Sequence, residues 1–176
     1  HDPDEPSERT HSGPQHTIIG CESQNVAMTV VIKIGGARAV DPSGALADTA
    51  GLDERCVLVH GGSTAVDETL ERLEIEPEYV ETPSGVVGRF TDSETMAVFE
   101  RVLPGLLNTD LVAGLRSEGV DAVGLSGVDG GLLSGPRQSA VRVLEDGKRK
   151  IRRGDHSGSL QAVNGDLLAT LLADGY

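Results

Sequence analysis

Two short runs constrain this chain more than anything else in it. "VVIKIGG" occupies 30–36 and "CVLVHGG" occupies 56–62. Each is a short, continuous, largely β-branched apolar run, the pattern of a strand buried in a parallel sheet. Each runs directly into two glycines. Between them, residues 43–52 read as a short helix. After the second, Ser63 or Thr64 caps a helix to about Leu73, with Ala65, Val66, Leu70 and Leu73 on one face. Strand, helix, strand, helix predicts a right-handed parallel crossover and an α/β fold.

The oddity is Lys33, a charge inside the first apolar run. Open parallel sheets bind ligands at the carboxyl ends of their strands. Gly35-Gly36 and Gly61-Gly62 fall at those ends, each before a helix whose free N–H groups attract anions. Glycine lets backbone approach a ligand closely. A lysine two residues before such a turn would neutralise a phosphate or a developing phosphoryl charge. The alternative is a strand-end lysine reaching solvent along its own stem. Neither glycine pair matches G-x-x-x-x-G-K-[ST] or G-x-G-x-x-G, which argues against a P-loop and a dinucleotide fold.

The remaining pattern extends the same architecture. Residues 77–87 are loop or short strand. "TDSE" at 91–94 is a capping box, with Thr91 as cap and Glu94 reaching back. The following helix presents Met96, Phe99, Val102 and Leu103, and Pro104-Gly105 is expected to break it before a helix over 106–118. "DAVGLSG" at 121–127 reads as a third strand. Residues 139–154 alternate as a β-hairpin turning at Asp146-Gly147, and 161–173 form an amphipathic helix capped by Gly175. Arg89, on a glycine-flanked stretch, suits bidentate carboxylate capture, or else pairs on the surface with Asp92 or Glu94. His60 reads as a structural histidine, and Ser63 as a cap able to touch ligand. Ser126 in "GLSGV" does not fit a nucleophile elbow.

Composition narrows the function. The 176 residues suffice for one domain, and with 2% aromatics the core must be aliphatic. The net charge is -13, and Lys33, Lys148 and Lys150 are the only lysines among 15 basic residues. Such a surface is typical of a high-salt cytoplasm and repels nucleic acid. Against it stands one basic block, "KRKIRR" at 148–153, which suits an acidic partner. Cys21 and Cys56 match no pairing or C-x-x-C pattern, consistent with a reducing cytoplasm. No apolar run approaches a membrane span, and no signal peptide is visible. Residues 1–28 are expected to be a disordered polar tail, with the folded domain over 29–176. His1, His11 and His16 fit no compact metal-ligand set, and no metal site is expected.

Taken together, "VIKIGGA", "VLVHGGS", "GRFTD", "LNTDLVAGLRSEGVDAVGLSGVDGGL" and "RRGDHSG" resemble the amino-acid kinase family. The "GLSGVDGGLLSG" and "RRGDHSG" stretches look most like its carrier-protein-linked glutamate or 2-aminoadipate kinases, with N-acetylglutamate kinases as the alternative. The resemblance implies a three-layer sandwich around a mainly parallel sheet. It implies MgATP-dependent phosphorylation of a side-chain carboxylate to an acyl phosphate, in arginine or lysine biosynthesis. It implies a homodimer acting on substrate presented by an acidic amino-group carrier protein. By position, Lys33 would stabilise the transferring phosphoryl group, and Gly35 and Gly36 would bind phosphate. Gly61 and Gly62 would hold substrate, and Arg89 would bind its α-carboxylate. The family's nucleotide-binding half, with its second lysine, its organising aspartate and its substrate asparagine, is expected beyond Tyr176. Asn164 is not expected to be that asparagine, and the 176 residues alone are expected to be inactive. A non-catalytic amino-acid-binding or dimerisation module on the same scaffold remains a further possibility.

Overall fold

The computed structural model describes residues 28–36, 42–138 and 140–176. The tail reading, with His1, His11, His16 and Cys21, lies outside the described residues.

The predicted crossover forms. Strand β1 (Thr29–Ile34) pairs in parallel with β2 (Arg55–His60), in a register that sets Lys33 beside Val59 and Ile34 beside His60. Helix α1 (Pro42–Ala50) connects them, and α2 (Ser63–Arg72) follows the second glycine pair. Alternation along a strand sends successive side chains to opposite faces. Ile32 and Ile34 pack with Leu46 of α1 and with Leu111 and Leu115 of α4 (Asn108–Ser117). On the opposite face, Val31 is 67% exposed and Lys33 is exposed too. The expectation of a strand buried on both faces is therefore corrected: among the described residues, β1 has one covered face.

A second apolar cluster is built mainly from helices. Val66 and Leu70 of α2 lock against Val98 of α3 (Ser93–Arg101) and Val102, with Phe99, Leu103 and Leu107 around them. The expected break at Pro104-Gly105 does not occur. Residues Val102–Leu107 form a π-helical segment that carries α3 directly into α4. Pro104 has no N–H to give to an ordinary helical bond, and the wider turn absorbs that loss instead of ending the helix.

Beyond this layer the chain is antiparallel. Strands β3 (Glu78–Glu81), β4 (Val87–Phe90), β6 (Ala140–Glu145) and β7 (Lys148–Arg153) form a sheet ordered β4-β3-β6-β7. The β6–β7 turn falls at Asp146 (φ 52°) and Gly147 (φ 71°), the paired positive angles of a tight type I′ hairpin. Two-residue strands β5 (Leu133–Ser134) and β8 (Ala162–Val163) pair before α5 (Gly165–Ala173).

The strand expected over 121–127 is absent. Val120 and Ala122 pack on the α1–α4 core, but the following backbone is spent on a local loop. Asp129 Oδ2 accepts from Ser126 N (2.6 Å) and Ser126 Oγ (2.8 Å), and Gly127 O accepts from Leu133 N (2.8 Å). The segment lines one wall of an apolar cleft of about 810 Å³ beside β2, rather than pairing with it. No helix among the described residues is long and apolar enough to cross a membrane.

Candidate functional site

The two glycine turns touch. Gly61 N donates to Ile34 O (3.2 Å) and Thr64 N donates to Gly36 O (3.2 Å), so the end of β1 is stitched to the start of α2. A side chain on Gly36 would meet the backbone of Gly61 and Gly62, with Gly61 C and Gly62 Cα each 2.7 Å from its Cβ. Gly62 is closed from the far side by Leu103 and Leu107 of the π-helical segment. Only bare backbone fits between them.

Gly62 caps α2 without a side-chain bond. The expected cap, Ser63, is instead the first helical residue, and its Oγ donates to Gly36 O (3.3 Å). The hydroxyl ties the turns together rather than capping. Lys33 lies two residues before Gly35 on β1, about 7 Å along the strand. Its side chain is exposed, and its strand runs directly into the joined turns. His60 is half-buried, with Nδ1 3.3 Å from Gly61 O, a contact within its own turn.

Arg89 is held elsewhere on the same scaffold. It lies in β4 opposite Tyr79 of β3 and reaches α2, where its Nη2 bonds Asp67 Oδ1. Nη2 also donates to the Tyr79 hydroxyl (3.0 Å), and the guanidinium carbon sits 5.5 Å from the Tyr79 ring centre and 5.6 Å from that of Phe99. Its Nη1 is buried with no hydrogen-bond partner among the described residues. The alternative of a surface pairing with Asp92 or Glu94 is not what forms; the partner is Asp67. Asp67 is four residues into α2 from Ser63, so the ion pair holds Arg89 about 6 Å along the axis from the glycine turn.

A buried carboxylate fixes the next loop. Asp155, 3% exposed, accepts from Thr91 N (2.9 Å) through Oδ2 and from Ser157 N (2.7 Å) and Ser157 Oγ through Oδ1. His156 N donates to Thr91 O (2.8 Å), and Arg137 Nε donates to Asp155 O (3.0 Å). Burial disfavours the Asp155 charge, but the Ser157 and Thr91 hydrogen bonds outweigh it and the pKa is lowered. With the Thr91 backbone so engaged, the helix cap passes to Asp92, which accepts from Thr95 N (2.8 Å); Thr91 is not the cap. Asn164 caps α5 through Leu167 N and donates to Gly130 O (2.9 Å).

Sequence reasoning missed Asp67, Tyr79 and Asp155 as partners. Asp155 stood inside the "RRGDHSG" stretch, a usable signal. Asp67 and Tyr79 lie 22 and 10 positions from Arg89, and no local pattern links them to it.

The sequence model of the amino acid kinase family matches residues 28–176. The chain is 42% identical over 150 residues to a [LysW]-aminoadipate kinase of Thermus thermophilus, covering 84% of this chain and 56% of that protein. It is 43% identical over 150 residues to a [LysW]-aminoadipate kinase of Deinococcus radiodurans, covering 84% and 51%. It is also 43% identical over 146 residues to an acetylglutamate kinase of Methanopyrus kandleri, covering 83% and 54%. The chain thus spans about half the length of the curated relatives it matches. With the family model covering the chain from Met28 onward, the chain belongs to the amino acid kinase family.

Proposed function

We propose that this chain supplies the acceptor-binding part of a kinase that uses MgATP to phosphorylate the side-chain carboxylate of an amino-blocked glutamate or 2-aminoadipate. The product would be an acyl phosphate serving arginine or lysine biosynthesis. The observation that carries this reading is the contact between the two diglycine turns at adjacent parallel strand ends, with Lys33 on one of those strands.

The phosphate fit rests on the same pair of turns: a Cβ at Gly36 would run into the backbone of Gly61 and Gly62, so the turns offer main chain and no side chains there. Backbone at Gly35 and Gly36 would face phosphate, and backbone at Gly61 and Gly62 would hold the acceptor. The start of α2 adds the positive end of its dipole. Lys33 would neutralise charge as it develops on the transferring group. Arg89 would take the α-carboxylate through Nη1. When bound, MgATP supplies the phosphoryl group, with the metal neutralising its oxygens. Mg²⁺ bound with ATP would be held chiefly by the nucleotide phosphates, as is usual for that ion; among the described residues no three His, Cys, Asp or Glu side chains gather as a metal site.

The basic hairpin supports a carrier-presented substrate. Lys150 pairs with Glu145 (2.7 Å), and Arg152 pairs with Glu78 (2.8 Å) and Glu145 (3.1 Å) while covering Phe90. On the other face, Arg142, Arg149 and Arg153 surround Ile151, which is 64% exposed, and none has an ion pair among the described residues. Register puts that free face on the same side of the sheet as Arg89: Arg89 is opposite Tyr79, Glu81 opposite Leu144, and Leu144 opposite Arg149. Three strand spacings separate Arg89 from Arg149, roughly 15 Å. An acidic carrier docked there could hand a tethered substrate toward Arg89. The family resemblance further supports a homodimer.

Trapping acyl phosphate as hydroxamate tests the reading. The protein containing this chain should turn over carrier-linked glutamate or 2-aminoadipate in preference to N-acetylglutamate. The relative from M. kandleri makes N-acetylglutamate the competing acceptor, and a reversed preference would select it. Turnover of neither would overturn the kinase reading. The 176 residues alone should bind acceptor without ATP-dependent hydroxamate formation.

A further inference from the structure

We infer that Asp67 and Tyr79 are positioning residues that fix the guanidinium of Arg89 so that its Nη1 edge alone is presented to the acceptor carboxylate. This rests on the reading of Arg89 as the carboxylate-binding group and adds what orients it.

The argument is an account of donors. Both N–H bonds of Nη2 are taken, one by Asp67 and one by the Tyr79 hydroxyl at 3.0 Å. The plane is confined by two rings, at 5.5 and 5.6 Å from the guanidinium carbon. The Arg89 side chain is 12% exposed, and Nη1 is buried and unpartnered among the described residues. A buried donor without a partner is costly, and in native chains a bound ligand, ion or ordered water usually completes one. The anchored edge and the unpartnered edge lie on opposite halves of one rigid group, so fixing the first aims the second.

The arrangement also sets the charge that the ligand meets. Asp67 offsets the cation before any acceptor arrives. An incoming carboxylate then meets a nearly neutral pair and is selected by hydrogen-bond geometry more than by net charge. Small anions with no matching second anchor, such as chloride or acetate, gain little at such a site. In a chain of net charge -13, a lone cation would otherwise attract any small anion.

The chain can be tested with ¹⁵N-labelled arginine and N-acetyl-L-glutamate as probe. Free of ligand, Arg89 should show slow rotation about its Cζ–Nη bonds, and D67N or Y79F should speed it. The acid should shift the Arg89 signals, and D67N should weaken its binding about tenfold, with D67E restoring part of the loss. Tyr79 is 54% exposed, so Y79F removes one hydroxyl with little threat to folding. Unchanged rotation and unchanged or tighter binding in D67N and Y79F, while R89K still weakens binding, would overturn the positioning role alone. No response of the wild-type Arg89 signals to the acid would overturn the carboxylate reading itself.

Discussion

Gly36 and Gly62 meet backbone to backbone: a Cβ on the first would lie 2.7 Å from the Cα of the second. This contact joins two strand ends whose sequences lie 26 positions apart, and it is the floor of the proposed anion cradle.

The contact makes Gly36 far less substitutable than Gly61. Gly36→Ala must push backbone aside, and overpacking of that kind costs about 1–3 kcal/mol. Gly61→Ala places its Cβ at 3.5 Å from Gly36 N, an ordinary contact. Urea unfolding should show a clear drop in midpoint for Gly36→Ala and a small one for Gly61→Ala. Equal midpoints would show that the turns are not packed as described.

Lys33 should separate function from stability. Its side chain is on the exposed face of β1, so Lys33→Met should leave the thermal midpoint within a degree or two. Turnover by the protein containing the chain should fall by about 10²–10³, the loss typical of removing one group that stabilises transition-state charge. Full activity in Lys33→Met would remove this residue from the mechanism.

Asp155 should make the fold acid-sensitive. Its folded pKa is lowered, so its stabilising contribution is complete above the unfolded value of about 4 and is lost as pH falls through the folded one. Wild-type thermal midpoints should therefore decline below about pH 4. Asp155→Asn should be less stable near neutrality and show a shallower acid decline. An identical decline in both would place the sensitivity elsewhere.

The hairpin should split by face. Arg149→Glu with Arg153→Glu alters side chains that hold no ion pair among the described residues, and should raise the KM for an acidic carrier several-fold at low salt. The difference should shrink near 1 M salt, where screening shortens to about 3 Å. Lys150→Glu with Arg152→Glu breaks the pairs with Glu145 and Glu78 and should instead lower the melting temperature. An unchanged KM in the first variant would dismiss this face as the docking surface.

Local pattern was sufficient wherever a single segment's chemistry decides its shape. The runs at 30–34 and 56–60 became paired parallel strands because each is apolar, β-branched and stopped by glycines. Residues 140–153 became a hairpin because Asp146-Gly147 tolerates the positive angles the turn needs. Pattern also marked Lys33, the two glycine pairs and Arg89 as worth attention. It failed at 121–127, where β-like composition lost to a loop held by Asp129, and at Pro104, where the flanking apolar contacts kept the helix going through a wider turn.

The partners of the marked residues came only with packing. Which carboxylate holds Arg89 depends on α2 and β4 coming within reach of each other in the assembled fold, a contact that no spacing along the chain encodes. Whether Lys33 is buried depends on what covers the second face of β1, since period-two alternation names two faces but not which of them the protein closes. Segments set their own conformation through short-range backbone and side-chain preferences. Their neighbours are set by which apolar faces find each other across the whole chain, and that is a property of the assembled fold.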